Sequence, residues 1–271
     1  MVSTTQRCGS TWIARSLESA AQKLLRRDCV DRNWHKPRIL YVNGLELGFR
    51  LNKASPEAAI ARLAEALASA TADLARNAPI VLKTHDVPSR DFARVCSIIK
   101  DMRFITARRD FKDVVVSRYF YYRYFWKSAY GKLPCCIAMD FGEISVLPDR
   151  EALCVLLGMP VIDSWAREWA AFETEINREK CLRLNFEEML DGTASVKLSE
   201  FCGCQISLLT NFARQQETET ASSGRSGNAR FHRRGISGEW KEWFSAEGGA
   251  TLDEIAAAAI LQQQKLVNGV V

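Results

Sequence analysis

Hydrophobic and polar positions alternate along the chain in a way that predicts strands followed by helices. A β-like start at residues 2–5 leads into Gly9-Ser10-Thr11, after which apolar residues recur at helical spacing from Ile13 to Leu25. Repeated alternation of this kind indicates an α/β protein with a central parallel sheet flanked by helices. The later predicted strands are Ile80–Leu82, Phe104–Ala107 and Cys181–Asn185, and the later predicted helices are Pro56–Arg76, Arg90–Lys100, one from Phe111 onward, and Asp163–Arg178.

Two segments depart from this pattern. Residues 130–160 are irregular with a few apolar runs, and we interpret them as an excursion that shapes a pocket. Residues 215–230 are polar and poor in apolar side chains, which predicts a flexible loop. Neither an internal repeat nor a clean linker divides the chain, so residues 1–271 are predicted to form a single domain.

The composition narrows the class of protein. Of the 271 residues, 47% are hydrophobic and 25% are charged, which excludes collagen-like, disordered and coiled-coil chains. The 37 basic and 32 acidic residues leave a net charge of +5, too small to identify a nucleic-acid-binding protein. The apolar runs are shorter than the ~20 residues of a membrane span, and no signal segment opens the sequence. We therefore predict a cytoplasmic protein without a membrane span.

The cysteines indicate neither a disulfide framework nor a metal site. Nine cysteines at irregular spacing are not typical of a small secreted protein, and they favour reduced thiols. Neither Cys135-Cys136 nor Cys202-Gly203-Cys204 has the paired spacing of a zinc site. No metal is predicted.

The first candidate for phosphate binding is the segment Gln6–Trp12, between a predicted strand and a predicted helix. Gly9 permits a tight turn there, and the amides of a helix N-terminus bind phosphate. Arg7 adds a positive charge, and Ser10 and Thr11 add hydroxyl donors. The segment lacks the first glycine and the lysine of G-x-x-x-x-G-K-[ST]. From this motif alone, an ordinary capped glycine turn is an equal alternative.

The second candidate is Lys83-Thr84-His85, directly after the predicted strand Ile80–Leu82. Open parallel sheets bind ligands beyond the carboxyl ends of their strands, which is where these side chains are expected. The alternative is a solvated lysine and a hydrogen-bonded histidine without a role in binding.

Two arginine-containing segments complete the set of candidates. Arg109 and Ser117 lie about two helical turns apart, and an arginine fork with a hydroxyl suits one phosphate. The alternative for Arg109 is a local ion pair with Asp110 or Asp113. The segment Phe231–Lys241 carries a dense basic cluster, which in isolation is a solvated charge run.

Taken together and in order, these segments resemble the cytosolic-type sulfotransferases, which use 3′-phosphoadenosine 5′-phosphosulfate (PAPS) and release PAP. The resemblance covers nearly the whole chain and implies a P-loop-like nucleotide-binding fold without a catalytic metal. The family's K-S-G-T-T-W appears as Arg7–Trp12, and its K-T-H-L-P appears as Lys83–Pro88 with one residue inserted before the proline. Its R-N-P-K-D-V-x-V-S appears as Arg109–Ser117, its Y-E-D-M as Phe186–Met189, its T-x-F as Thr210–Phe212 and its R-K-G-x-x-G-D-W-K as Arg233–Lys241.

The resemblance also implies roles for individual residues. His85 takes the proton from an acceptor hydroxyl as that oxygen attacks sulfur in line, and a histidine suits this step because its ordinary pKa is near neutral. Lys83 stabilises charge on the sulfuryl group, and Arg7 offsets charge on the leaving oxygen. The residues implied to bind PAPS are Arg7, Cys8, Gly9, Ser10, Thr11, Trp12, Arg109, Ser117, Phe186, Thr210, Phe212, Arg233, Arg234 and Gly235.

Two residues and one motif depart from the family's pattern. Arg7 replaces a lysine, and because arginine does not readily give up a proton, only charge stabilisation is expected of it. Phe186 replaces a tyrosine and loses a hydroxyl on the adenine side. The dimer motif K-x-x-x-T-V-x-x-x-E is incomplete after Lys241, which leaves the oligomeric state open, with a homodimer as one alternative.

The predicted enzyme is therefore a PAPS-dependent sulfotransferase that acts on a hydroxyl or amine of a small-molecule, lipid or carbohydrate acceptor, with no nucleic-acid partner. Two alternatives stay open: a P-loop nucleotide or nucleoside kinase, and a non-catalytic module that binds a nucleotide or nucleic acid. The aromatic run Tyr119–Trp126 either lines the acceptor pocket or packs a helix in the core. Packing is favoured there, and Trp165 and Trp169 are predicted to be core residues.

Overall fold

The computed structural model of the chain describes residues 2–3, 8–28, 39–41, 61, 81–84, 103–126, 141–142, 144–174, 181–208 and 235–268. The predicted helix at Arg90–Lys100 and the predicted loop at 215–230 lie outside these residues. The same holds for all but residue 61 of the predicted helix at Pro56–Arg76.

The chain divides into two compact units. The first comprises Met1–Arg108 and Glu175–Leu209, and the second comprises Arg109–Thr174 and Thr210–Val271. The single domain over residues 1–271 stays a prediction.

The first unit contains a five-stranded sheet whose described pairings are all parallel. Its strand order is β2-β3-β1-β4-β5, so the amino-terminal strand lies in the middle. Ile105, Ala107 and Leu184 are buried within it, as expected of a sheet covered by helices. The parallel sheet predicted from the alternating pattern is confirmed. The strands are β1 (Val2–Ser3), β2 (Ile39–Tyr41), β3 (Val81–Thr84), β4 (Phe104–Arg108) and β5 (Cys181–Asn185).

Helices follow strands along the chain, as the alternating pattern predicts. The α-helices of the described ranges are α1 (Ser10–Asp28), α2 (Phe111–Phe120), α3 (Asp149–Leu156), α4 (Pro160–Thr174), α5 (Phe186–Asp191), α6 (Ala194–Cys202) and α7 (Ala246–Val267). In the first unit, α1 packs against β1, β2 and β3, while α5 and α6 pack against β5. A π-helical stretch, Tyr121–Trp126, continues α2, and a 3₁₀ turn covers Glu239–Glu242.

The second unit is built on α2, α4 and α7, which pack on one another. Val115 and Tyr119 of α2 are fully buried beside Trp165 of α4 and Leu252 of α7. Most of the aromatic run after Ser117 therefore belongs to this core, as the packing interpretation predicts. Burial raises the pKa of the Tyr119 phenol, and so does the hydrogen bond that it donates to the Asp149 carboxylate.

The expectation of an irregular segment at residues 130–160 is wrong over its second half. Helix α3 occupies Asp149–Leu156, and it buries Ala152, Leu153 and Leu156. These three residues recur at helical spacing, but a helix of two turns provides too few apolar positions to separate it from short apolar runs. Helix α7 and strand β2 were not predicted from the pattern either.

Among the helices that the structure describes, none combines the length and the apolarity that crossing a bilayer requires.

Candidate functional site

The turn between β1 and α1 has a backbone that glycine favours. Gly9 has φ of +89°, a left-handed conformation that side chains other than glycine rarely adopt. A Cβ at this position would also lie 2.7 Å from Met189 Cε. The backbone N–H of Ile13 donates to the Gly9 carbonyl at 3.1 Å, which starts α1 immediately after the turn.

This turn directly precedes the N-terminus of the 19-residue helix α1 and, in the sequence, follows the central strand β1. The positive end of the helix dipole and the amides of its first turn favour an anion there. Ser10 is buried in that first turn, and Thr11 follows it. Arg7, which the sequence places just before the turn, lies outside the described residues.

Phe186 supports the glycine turn from within the first unit. It is buried, it begins α5, and its ring lies 3.6 Å from where a Gly9 Cβ would be. The Trp12 ring meets it edge-on, with centroids 6.4 Å apart. Replacement of the family's tyrosine by phenylalanine thus occurs at a position that packs against both the turn and Trp12.

The register of the sheet places part of the second candidate beside β1, the strand that precedes the first candidate in the sequence. Lys83 pairs with Val2 and Thr84 pairs with Ser3 along the β1–β3 ladder, so these two strands end side by side. Lys83 and Thr84 lie within β3, whereas the sequence pattern ends the strand at Leu82. His85 is the residue after β3 and lies outside the described ranges.

Arg109 is held at both its backbone and its guanidinium in the second unit. The residue is 6% exposed, and its Nη2 donates to the Ile236 carbonyl at 2.7 Å. Its own carbonyl accepts from Trp169 Nε1 at 3.0 Å. Its Nε lies 3.9 Å from Asp113 Oδ2, which is the local ion pair raised as an alternative. The side chain therefore has both a local and a long-range partner.

Asp113 was missed as a site residue, since the sequence indicated it only as a local partner of Arg109. Its carboxylate is buried and accepts from Gly238 N at 2.7 Å and from Trp240 N at 3.0 Å. Ser117 follows one helical turn later and is also buried. The available signal was an acidic residue inside the apolar stretch from Phe111 to Val116.

The segment that follows Arg234 is shaped by two glycines. Gly235 and Gly238 have φ of +59° and +77°. Beyond them, the Trp240 ring packs against α7 so closely that a Cβ on Gly249 would lie 2.5 Å from it. Lys112 Nζ lies 4.6 Å from the centre of that ring and also donates to Asp253 at 2.6 and 2.8 Å.

The start of α2 is capped by Asp110, whose carboxylate accepts from Lys112 N at 2.8 Å. Burial raises the pKa of Asp110, and the neighbouring Lys112 opposes that rise. Asp110 therefore acts as a helix cap rather than as a partner of Arg109.

The structure groups the candidate residues within each unit. Cys8–Trp12 lie with Phe186 in the first, whose β3 also carries Lys83. Arg109 contacts the residue after Gly235 in the second, with Ser117 on the same helix as Asp113. The candidates outside the described residues are Arg7, His85, Thr210, Phe212, Arg233 and Arg234.

A family model described as a sulfotransferase domain matches residues 1–266. The chain belongs to the sulfotransferase domain family. This confirms the sequence prediction of a sulfotransferase and of its α/β fold class. No curated protein matches the chain.

Solved structures resemble this sulfotransferase at low sequence identity. Mouse sulfotransferase SULT7A1, complexed with PAP, is 15% identical with a TM-score of 0.52, and the alignment covers 99% of this chain and 88% of that one. This likeness shows a shared fold. Two retinol dehydratase structures also match. The complex with androsterone and inactive cofactor PAP is 17% identical at a TM-score of 0.48, covering 96% of this chain and 79% of that one. The complex with retinol and PAP is 16% identical at a TM-score of 0.45, and the alignment covers 96% of this chain and 80% of that one.

No group of three or more histidine, cysteine, aspartate or glutamate side chains that could hold a metal ion lies within the described part of this sulfotransferase.

Proposed function

We propose that this sulfotransferase takes the sulfuryl group from PAPS, releases PAP, and transfers the group to a hydroxyl or amine of an acceptor. The observation that carries the proposal is the turn at Gly9, which leads from the central strand into the N-terminus of α1. A helix N-terminus behind a glycine turn suits the 5′-phosphosulfate, since its amides and dipole favour an anion. The family match over residues 1–266 supports the same assignment.

In this proposal the turn at Gly9 binds the 5′-phosphosulfate, and aromatic residues bind the adenine. Arg7 and the amides and hydroxyls of Cys8–Thr11 bind the 5′-phosphosulfate and offset charge on the leaving oxygen. Trp12 and Phe212 lie on the two faces of the adenine, Thr210 lies near its amino group, and Phe186 backs Trp12. The edge-on contact between Trp12 and Phe186 supports a fixed orientation for the Trp12 ring.

The second unit binds the 3′-phosphate in this proposal. Arg109, Ser117, Arg233, Arg234 and the Gly235 amide supply the donors. Arginine suits this task because its planar fork matches phosphate oxygens. The bond from Arg109 to the Ile236 carbonyl supports the grouping, because it ties Arg109 to the residue beside Gly235.

His85 and Lys83 act on the acceptor side. The β1–β3 register supports these roles, since Lys83 and Thr84 pair with Val2 and Ser3 of β1, the strand that precedes the glycine turn in the sequence. His85 accepts the proton of the acceptor hydroxyl, and the Lys83 ammonium stabilises charge on the transferred group. The acceptor is a small molecule, lipid or carbohydrate, and the proposed location is the cytoplasm.

The test combines binding and transfer. PAP raises the Tm of the parent protein in a concentration-dependent manner, because a ligand that binds only the folded state stabilises it. With labelled PAPS and a panel of phenols, sugars, lipids and amines, the parent transfers label to at least one acceptor. His85→Ala binds PAP like the parent but transfers roughly 100- to 10,000-fold more slowly.

His35→Ala is the matched control, a histidine that has no part in the proposal, and it transfers at the parent rate. Equal transfer by His85→Ala and the parent would show that His85 is not the base. A parent whose Tm is unchanged by PAP contradicts PAPS as the donor. Magnesium-dependent turnover of ATP would instead identify a kinase.

A further inference from the structure

Asp113 uses both oxygens of a buried carboxylate to hold a remote stretch of backbone. The residue is 1% exposed. It accepts from the amides of Gly238 and Trp240, which lie 125 and 127 residues later in the chain. Hydrogen bonds to a charged acceptor are stronger than neutral ones, so this contact fixes the position of both amides.

Arg109 ties the same stretch of backbone at a third point. Its Nη2 donates to the Ile236 carbonyl, while Trp169 Nε1 holds the Arg109 carbonyl. The backbone of residues 236–240 is thus attached to the start of α2 at a carbonyl and two amides. We call this arrangement of Arg109, Asp113 and residues 236–240 the clasp.

The clasp begins one residue after Gly235, whose amide the proposed function assigns to the 3′-phosphate. Arg233 and Arg234 directly precede that glycine in the sequence. Arg109 itself belongs to both the clasp and the phosphate-binding set. Asp113 Oδ2 lies 3.9 Å from Arg109 Nε, so the carboxylate also constrains the direction of that guanidinium.

We propose that Asp113 is a positioning residue for recognition of the 3′-phosphate, through the amides of Gly238 and Trp240 and through the Arg109 guanidinium. The inference rests on the proposed function and adds to it a residue that does not touch the nucleotide. Asp113 acts by setting the register of residues 236–240, and with it the place of the Gly235 amide.

The attachment of Trp240 keeps the effect of an Asp113 substitution local. The Trp240 ring packs on Gly249 of α7 and beneath Lys112, contacts that do not involve Asp113. When the Asp113 bonds are lost, the segment remains on the second unit while its amides lose their fixed position. An asparagine at 113 also turns a donor toward one of the two N–H groups, which breaks one bond without removing side-chain volume.

The experiment measures binding of PAP and of 5′-AMP, which lacks the 3′-phosphate, to the parent and to Asp113→Asn by calorimetry. The parent binds PAP more tightly than 5′-AMP. In Asp113→Asn, the affinity for PAP falls about tenfold or more. The affinity for 5′-AMP stays within about twofold. If Asp113 had only a structural role, the substitution would weaken the binding of both nucleotides or of neither.

Asp149→Asn is the matched control in the same unit. Asp149 accepts hydrogen bonds from Tyr119 and Tyr124 and pairs with Arg123, so its replacement costs stability. We expect Asp149→Asn nevertheless to keep the parent's preference for PAP over 5′-AMP. If Asp113→Asn also keeps the parent preference, the positioning role is overturned. A parent that binds both nucleotides equally overturns the proposed 3′-phosphate site itself.

A measurement on the parent alone covers the case in which Asp113→Asn does not fold. Hydrogen–deuterium exchange at the amides of Gly238 and Trp240 slows when PAP is added, and slows less with saturating 5′-AMP. Equal protection by the two nucleotides would overturn the proposal.

Discussion

Arg109, which is proposed to bind the 3′-phosphate, is a buried cation with partners at its backbone and its guanidinium. Its carbonyl, its Nη2 and its Nε each face a different neighbour: Trp169, Ile236 and Asp113. Burying a charge without partners is costly, so the site compensates the guanidinium with oxygen atoms of the chain itself. These contacts also limit the directions in which the fork can present its N–H groups to a phosphate.

Arg109→Lys tests this geometry directly. A lysine keeps the positive charge but has a single ammonium, which cannot both reach the Ile236 carbonyl and present a fork to a phosphate. We expect the Kd for PAP to rise about tenfold or more, measured by calorimetry. The matched control is Arg167→Lys, an exposed arginine of α4, which leaves PAP binding unchanged. Parent-like binding by Arg109→Lys would show that only its charge matters.

At the level of helices, the packing of Trp240 on α7 depends on Gly249. The glycine is buried, and a Cβ there would lie 2.5 Å from one carbon of the Trp240 ring and 3.0 Å from another. A fused aromatic ring cannot yield as a flexible side-chain end does, so either the ring or the helix must shift. The neighbouring Gly248 has ordinary contacts at 3.4 Å with Leu157 and Phe244.

These adjacent glycines allow a paired prediction. Gly249→Ala lowers the free energy of unfolding by about 1–3 kcal/mol, because the added methyl overpacks against Trp240. Gly248→Ala is neutral or raises it by up to about 1 kcal/mol, since alanine is the better helix former. Urea denaturation of the parent and both variants measures the difference. Equal destabilisation by the two substitutions would contradict the Trp240 contact.

Helix α5 carries a second testable feature in its cap. Glu188 accepts from Asn185 N at 3.1 Å and from Lys197 Nζ at 2.6 Å. Burial raises the pKa of Glu188, but the bonds from Lys197 and Asn185 outweigh it and hold the pKa below its usual 4.5. Because the folded-state pKa is depressed, the contribution to stability is complete above the unfolded pKa and disappears as pH falls through the folded one.

Glu188→Gln therefore destabilises the protein near neutral pH but not in acid. The loss is at most about 1 kcal/mol, since Lys197 is half-exposed and its ion pair is screened by water. Urea midpoints at about pH 6 and about pH 3 measure it, and the gap between the parent and Glu188→Gln closes at the lower pH. Glu200→Gln, an exposed glutamate of α6, is the control and shifts the midpoint at neither pH. A gap that persists in acid would show that the cap does not titrate in this way.

Across the whole chain, the binding assignments divide between the two compact units. The glycine turn, Trp12 and β3 belong to the first, while Arg109, Ser117 and the clasp belong to the second. The residues proposed to bind the two phosphates of the nucleotide are thus drawn from distant parts of the sequence. This distribution explains why the net charge of +5 did not indicate a binding site, whereas the positions of a few arginines and lysines in the sequence did.

Local features were the most predictable part of this protein. The turn at Gly9, the start of α2 at Phe111 and strand β5 at Cys181–Asn185 follow from neighbouring residues, because glycine conformation and apolar periodicity are short-range properties. Helix α3 was missed since its two turns carry only three buried residues, too few for a periodic signal.

The amino-acid sequence was sufficient for the family and the parallel α/β class, because the family's motifs and the strand–helix alternation are readable in chain order. It could not show that Asp113 accepts from Gly238 and Trp240, or that Trp240 needs a glycine at 249. Those contacts join residues far apart in the chain, and only the packing of the folded second unit places them together. A buried carboxylate must find donors somewhere, but which donors it finds depends on the fold.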